Sequence, residues 1–153
     1  MPWFSLVMPG SWIPASGIPY VSRIPHTSGT MRTDTDTHRK LSKEQMMAAL
    51  DEVVKKRYSV VGDLAVKAVE QAIEAAVSLE EIHFHTSPRT AHASRISWAK
   101  QKFPSLAKEI DALWGAYGAL GYEGVDGERA ERVIRAMERV LDEIGKKTHF
   151  GFR

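Results

Sequence analysis

Three of the six histidines, His83, His85 and His92, lie within ten residues of one another and are candidate ligands for a metal ion. In an extended loop, His83 and His85 project to the same side of the chain, and His92 follows in the first turns of the next helix. Three imidazoles are sufficient protein ligands for zinc or another divalent metal. Metal-binding histidines usually have a supporting carboxylate, and the stretch 82–108 contains no acidic residue. We therefore favour three surface histidines over a metal site, and we expect no cofactor.

The same stretch is the candidate nucleic-acid contact. Residues 82–108 hold five basic residues and no acidic one, and the aromatic residues Trp98 and Phe103 are interleaved with them. Cationic side chains bind phosphates, and aromatic rings stack on bases. The predicted contact residues are Arg89, Arg95, Lys100 and Lys102. The alternative is a solvated helix face with Trp98 in the core.

Composition excludes several kinds of site. The chain of 153 residues has no cysteine, which excludes disulfides, thiolate zinc sites, iron–sulfur clusters and a cysteine nucleophile. It also lacks a Gly-rich phosphate-binding loop followed by Lys-Ser or Lys-Thr. Asparagine is absent and only three glutamines are present, which is typical of proteins from thermophiles.

The formal net charge of +2 comes entirely from residues 1–40. This segment has four basic and two acidic residues, whereas residues 41–153 have seventeen of each. A charge-balanced domain does not attract nucleic acid through its overall field. Any RNA binding must therefore depend on the locally basic stretch 82–108.

The elements that position these residues are predicted to be helices. From Ser42 onward, apolar residues recur at helical spacing, and no convincing strand alternation is present. The predicted helices span 42–57, 63–79, 87–102, 105–121 and 126–145. Helix 63–79 is apolar on two faces, so we expect it to be central. The fold class is therefore all-α, an antiparallel up-and-down bundle of four to five helices.

The first forty residues differ from the rest of the chain. Five of the seven prolines fall in residues 1–30, and prolines at this spacing prevent a continuous helix. We predict a disordered Pro-rich extension and linker over 1–40, with the polar linker at 31–40, a bundle domain over 41–147 and a tail over 148–153. Alternatives for the extension are an arm whose aromatics dock on a partner, and a translation start at Met31. We expect a cytoplasmic protein without a membrane segment, because no signal-like or spanning stretch is present.

Two glycines inside a predicted helix suggest a close approach. Gly115 and Gly118 each cost about 1 kcal/mol relative to alanine in a helix interior. A helix that keeps them would need its backbone close to a neighbouring helix or to a second chain. The nearby aromatics Trp114, Tyr117 and Tyr122 are expected in the core, with a binding groove as the alternative.

The order of these features resembles the HEPN superfamily of small helical-bundle domains, especially its archaeal, PaREP-like members. The resemblance rests on Gly62-Asp63-Leu64-Ala65 leading into Lys67-Ala68-Val69-Glu70-Gln71-Ala72-Ile73-Glu74-Ala75, on His92 opening a helix, and on Leu113, Tyr117 and Leu120-Gly121-Tyr122 before Glu128-Arg129-Ala130. In the family, an alanine-rich second helix, a later histidine and a tyrosine-containing turn before the last helix occur in this order. The resemblance covers residues 42–144 and implies a bundle that is often a homodimer.

The resemblance also implies a function in RNA metabolism. The family includes RNA-cleaving toxins, non-catalytic partners of small nucleotidyltransferases, and RNA or nucleotide binders. Catalytic members have an arginine followed in a helix by a histidine, with four to six residues between the two. Here only Arg32 and His38 have that separation, and they lie in the predicted linker. We therefore expect a non-catalytic domain that binds RNA, a nucleotide or a partner such as a small nucleotidyltransferase.

Two alternatives remain open. One is a metal-independent ribonuclease, in which His92 is the general base and Arg89 or Arg95 stabilises the phosphate. The other is a purely homo-oligomeric interaction module that pairs through the face containing Trp114.

Overall fold

A computed structural model describes residues 28–123 and 127–152, which contain five α-helices and three short 3-10 turns. The helices are α1 (Ser28–Val54), α2 (Val61–Ser78), α3 (Pro88–Lys102), α4 (Ala107–Glu123) and α5 (Gly127–Thr148). The turns span Tyr58–Val60, Phe84–Thr86 and Pro104–Leu106. No strand occurs in these residues, so the predicted all-α bundle is confirmed. None of the described helices has the length and apolar character needed to cross a membrane.

Helix α2 is the centre of the bundle, as its two apolar faces predict. It packs against α1, α3, α4 and α5, and its alanines and valines are buried along nearly its whole length. α1 runs antiparallel to α2. Three side-chain contacts fix their register: Ser42 with Ala68, His38 with Gln71, and Thr35 with Ser78. The first half of α1 therefore lies along the second half of α2.

The linker predicted at 31–40 is wrong, because these residues belong to α1. The residues of this half of α1 that face α2 are polar: Thr35 and Ser42 are buried, and His38 is half-buried. Among the described residues, the fully buried apolar positions begin at Met46. A search for apolar periodicity therefore starts the helix too late, at Ser42. The prediction of a disordered extension falls otherwise on residues 1–27, outside the described residues.

Glycine proved a poor marker of helix ends. Gly121 and Gly145 were expected to end helices, yet both lie inside them. The turns that follow α1 and α2 instead contain residues with positive φ that are not glycine, Lys56 at 58° and Glu81 at 60°. At each end, the backbone bonds that close the last turn are formed without glycine's conformational freedom.

The last residues of the chain belong to the fold. α5 continues to Thr148, and Phe152 is buried in the core. The guanidinium of Arg39 lies 4.7 Å from the ring centre of Phe150. Residues 148–152, predicted as a tail, therefore pack on the bundle.

The close helix approach occurs at a different glycine from those predicted. A Cβ on Gly62 would lie 3.1 Å from the carbonyl oxygen of Ala116, so α2 and α4 meet there. At Gly115 and Gly118, no other part of the described chain comes within 4 Å of a Cβ position. No described residue therefore makes a close approach at these two glycines, and a second chain against them stays a prediction.

Candidate metal centre

Two histidines and a glutamate from three segments converge at one side of α2. They are His38 of α1, Glu74 of α2 and His85 of the turn Phe84–Thr86. One ring nitrogen of each histidine and one carboxylate oxygen lie within 4.8 Å of one another. Side-chain exposure differs sharply, since Glu74 is 1% exposed and His85 is 42% exposed. The carboxylate of Glu74 therefore lies at the buried side of the group, and His85 lies at the side that faces solvent.

Local structure brings each ligand into place. The antiparallel packing of α1 on α2 sets His38 beside Gln71, one turn before Glu74, with 2.7 Å between His38 Nδ1 and Gln71 Oε1. That contact leaves Nε2 of His38 as the ring nitrogen that can ligate. After α2, the chain reverses at Glu81, where φ is 60°, and the turn Phe84–Thr86 returns over Glu74.

The carboxylate of Glu74 is held from both sides. Its Oε1 accepts a hydrogen bond from Arg95 Nε at 2.8 Å, and its Oε2 lies 3.1 Å from His85 Nδ1. A buried carboxylate is tolerated only when charged or hydrogen-bonding partners compensate its lost hydration. Arg95 provides that compensation on one oxygen and leaves the other directed toward the histidines.

A second polar group continues from Arg95 toward α4. Arg95 Nη1 lies 3.2 Å from Glu70 Oε1, and His92 Nδ1 lies 2.5 Å from the same oxygen. On the other edge of the imidazole, Trp114 Nε1 donates a hydrogen bond to His92 Nε2 at 2.6 Å. This group, Glu70, His92, Arg95 and Trp114, joins α2, α3 and α4.

Most of the predicted nucleic-acid contact residues are engaged in ion pairs. Three of the four have partners: Arg95 with Glu70 and Glu74, Lys100 with Asp111 at 2.5 Å, and Lys102 with Glu80 at 2.7 Å. Arg89 is exposed and forms no ion pair with a described residue. Phosphate binding by the whole set would therefore require these ion pairs to break.

The arrangement around His92 bears on the ribonuclease alternative. Both ring nitrogens of His92 have partners, and the guanidinium of Arg95 lies between two carboxylates. Transfer of a proton from a ribose hydroxyl to His92 would therefore require one of these contacts to open first.

Only one of the three histidines predicted as metal candidates belongs to the converging group. His85 does, whereas His92 lies with Glu70, and His83 lies outside the group with its ring centre 5.5 Å from that of His85. The supporting carboxylate that the stretch 82–108 lacks is supplied by Glu74 of α2. Glu74 lies among buried alanines in a helix that is apolar on two faces. An acidic residue in such a sequence context is the signal that could have identified it.

The pKa values of Glu52 and Lys67 are shifted by ion pairs that lie away from this centre. A hydrogen bond from Arg57 lowers the pKa of Glu52 at the end of α1. A hydrogen bond to Asp63 raises the pKa of Lys67 in the first turns of α2. Such solvent-screened pairs contribute little to stability.

Comparison of the chain with protein-family models, curated proteins and solved structures found no match, so the resemblance to HEPN domains stays a prediction.

Proposed function

We propose that the protein binds one divalent transition-metal ion, of the zinc class, through His38, Glu74 and His85. The observation that carries this proposal is the convergence of two imidazoles on a fully buried carboxylate. Imidazole nitrogen with one carboxylate oxygen suits zinc, cobalt or nickel, whereas calcium and magnesium prefer all-oxygen ligands.

The charges around the centre favour a cation. With the histidines neutral, Glu70 and Glu74 contribute two negative charges and Arg95 contributes one positive charge. One negative charge is left over in a largely buried setting. A bound cation balances it directly at Glu74, which is the carboxylate with an oxygen facing the histidines.

The hydrogen bonds around His38 and Glu74 match those that support metal ligands. The other ring N–H of a ligating histidine usually donates a hydrogen bond to an oxygen, and a ligating carboxylate is itself hydrogen-bonded. His38 has the first arrangement with Gln71, and Glu74 has the second with Arg95.

The spacing requires only a small closure. Bonds of about 2.0–2.1 Å in a tetrahedral zinc site place ligand atoms roughly 3.4 Å apart. The ligand atoms now lie within 4.8 Å of one another, and His85 Nδ1 is already 3.1 Å from Glu74 Oε2. His85 lies on a three-residue turn and its side chain is 42% exposed, so its ring can rotate as the group closes.

Competition of the full chain with a chromophoric zinc indicator tests the proposal. We expect one Zn²⁺ per chain, loss of this binding in His38→Ala and in His85→Ala, and affinity about 10–100-fold weaker in Gln71→Leu. The matched control is His149→Asn, which removes an exposed imidazole while suiting the backbone φ of 58° there. Zinc affinity that is equal in the parent, His38→Ala and His85→Ala would refute the proposal.

Binding of RNA or a nucleotide through α3 is the second proposal. The observation that favours it is Arg89, which stands exposed in the first turn of α3 without an ion pair among the described residues. Pairing with a small nucleotidyltransferase, or with a second copy of the chain, stays a prediction of the family resemblance.

A further inference from the structure

The metal centre has fewer protein ligands than a closed structural site. Structural zinc sites have four protein ligands, whereas sites that bind a substrate or water have three and one open position. Among the described residues, only His38, Glu74 and His85 offer ligand atoms within 4.8 Å of one another. The neighbouring polar side chains already have other partners, because Gln71 contacts His38 and Arg95 donates a hydrogen bond to Oε1 of Glu74.

The direction of an open position follows from burial. Glu74 forms the floor of the site at 1% exposure, and His38 is half-buried against α2. His85 is 42% exposed and forms the outer wall. A coordination position that the protein does not fill therefore faces solvent beside His85.

Charge determines which ligand suits that position. A divalent ion with two neutral imidazoles and one carboxylate has a net charge of +1, and Arg95 remains balanced by Glu70. A hard oxygen donor with negative charge is attracted to such an ion, and water is its neutral substitute.

From these three points we infer that the bound ion keeps one solvent-facing coordination position, which takes water or a small oxyanion. This inference rests on the proposed metal site and adds to it that the ion is accessible to an external ligand. An ion with an open position can bind an external ligand, whereas an ion without one would only cross-link α1 and α2.

Cobalt substitution of the full chain tests the inference, because the visible absorption of Co²⁺ reports its coordination. We expect a protein-bound Co²⁺ band that shifts saturably when sodium acetate is added. The same acetate response is expected in His83→Ala and in the control His149→Asn. His38→Ala should lose the band itself.

The other possible results of the cobalt experiment distinguish the open position from the metal site itself. A Co²⁺ band that does not respond to saturating acetate would overturn the open position while leaving the metal site intact. A response that appears only in His83→Ala would identify His83 as a fourth ligand and would also overturn it. Absence of any protein-bound Co²⁺ band would overturn the metal site and this inference together.

Discussion

Glu74 belongs to the candidate metal centre and contacts the second polar group through Arg95. It is 1% exposed, it faces His85 with one oxygen, and its other oxygen accepts a hydrogen bond from Arg95, whose side chain is 13% exposed. A buried ion pair adds little net stability when it is complete, because desolvation offsets the attraction. Removing one partner is costly, because the other charge then stays buried alone.

Arg95→Met should therefore lower the free energy of unfolding by about 3–5 kcal/mol. The measurement is urea denaturation of the metal-free protein. Lys100→Met is the matched control on the same helix, since its partner Asp111 is 66% exposed, and its loss should be at most about 1 kcal/mol. Equal effects of the two substitutions would contradict the structural account of Arg95.

Part of the candidate metal centre could be predicted from residue types, and part could not. The local density of histidines identified His85. His38 was missed because its neighbours are polar, and Glu74 was missed because it lies eleven residues before His85, in a different helix. Convergence of three segments is a property of tertiary packing, and spacing along the chain does not reveal it.

At the scale of elements, α1 shows where hydrophobic periodicity fails. The last third of α1, from Met46, packs through apolar side chains, and a helix was predicted there from them. The part before Met46 packs on α2 through Thr35, His38 and Ser42, at spacings of three and four residues. The helical period was present throughout, but it was carried by hydroxyls and an imidazole, which a hydrophobic pattern does not count.

Helix α4 gives a prediction at the same scale. Gly115→Ala and Gly118→Ala should each raise the free energy of unfolding by about 1 kcal/mol, because a methyl group meets no other part of the described chain there. Thermal or urea denaturation measures the effect. Gly62→Ala should be destabilising, because its Cβ would lie 3.1 Å from the backbone oxygen of Ala116. Destabilisation at Gly115 or Gly118 would indicate that a second chain packs against α4.

For the whole molecule, charge along the chain differs from charge in space. Residues 82–108 contain no carboxylate, yet three of their cations lie against acidic side chains from other segments. These partners are Glu70, Glu74, Glu80 and Asp111. The asymmetry in sequence that suggested a basic surface is therefore largely cancelled once the helices pack.

Because most of these cations are paired, the salt dependence of RNA binding shows how many of them contact phosphate. Binding to single-stranded RNA through Arg89 alone should give a slope of about −0.7 for log affinity against log salt, compared with about −2.8 for phosphate contacts by all four predicted cations. Arg89→Ala should abolish the binding, and Arg135→Ala on the exposed face of α5 should leave it unchanged. A slope near the larger value would show that the ion pairs open, and no binding at low salt would refute RNA binding.

The hydrogen bond from Trp114 to His92 also fixes the tautomer of an imidazole. An indole N–H can only donate, so His92 must accept at Nε2 and carry its single proton on Nδ1, beside Glu70. One tryptophan on α4 thus determines where the proton lies in a polar group that ends, through Arg95, at the carboxylate of Glu74.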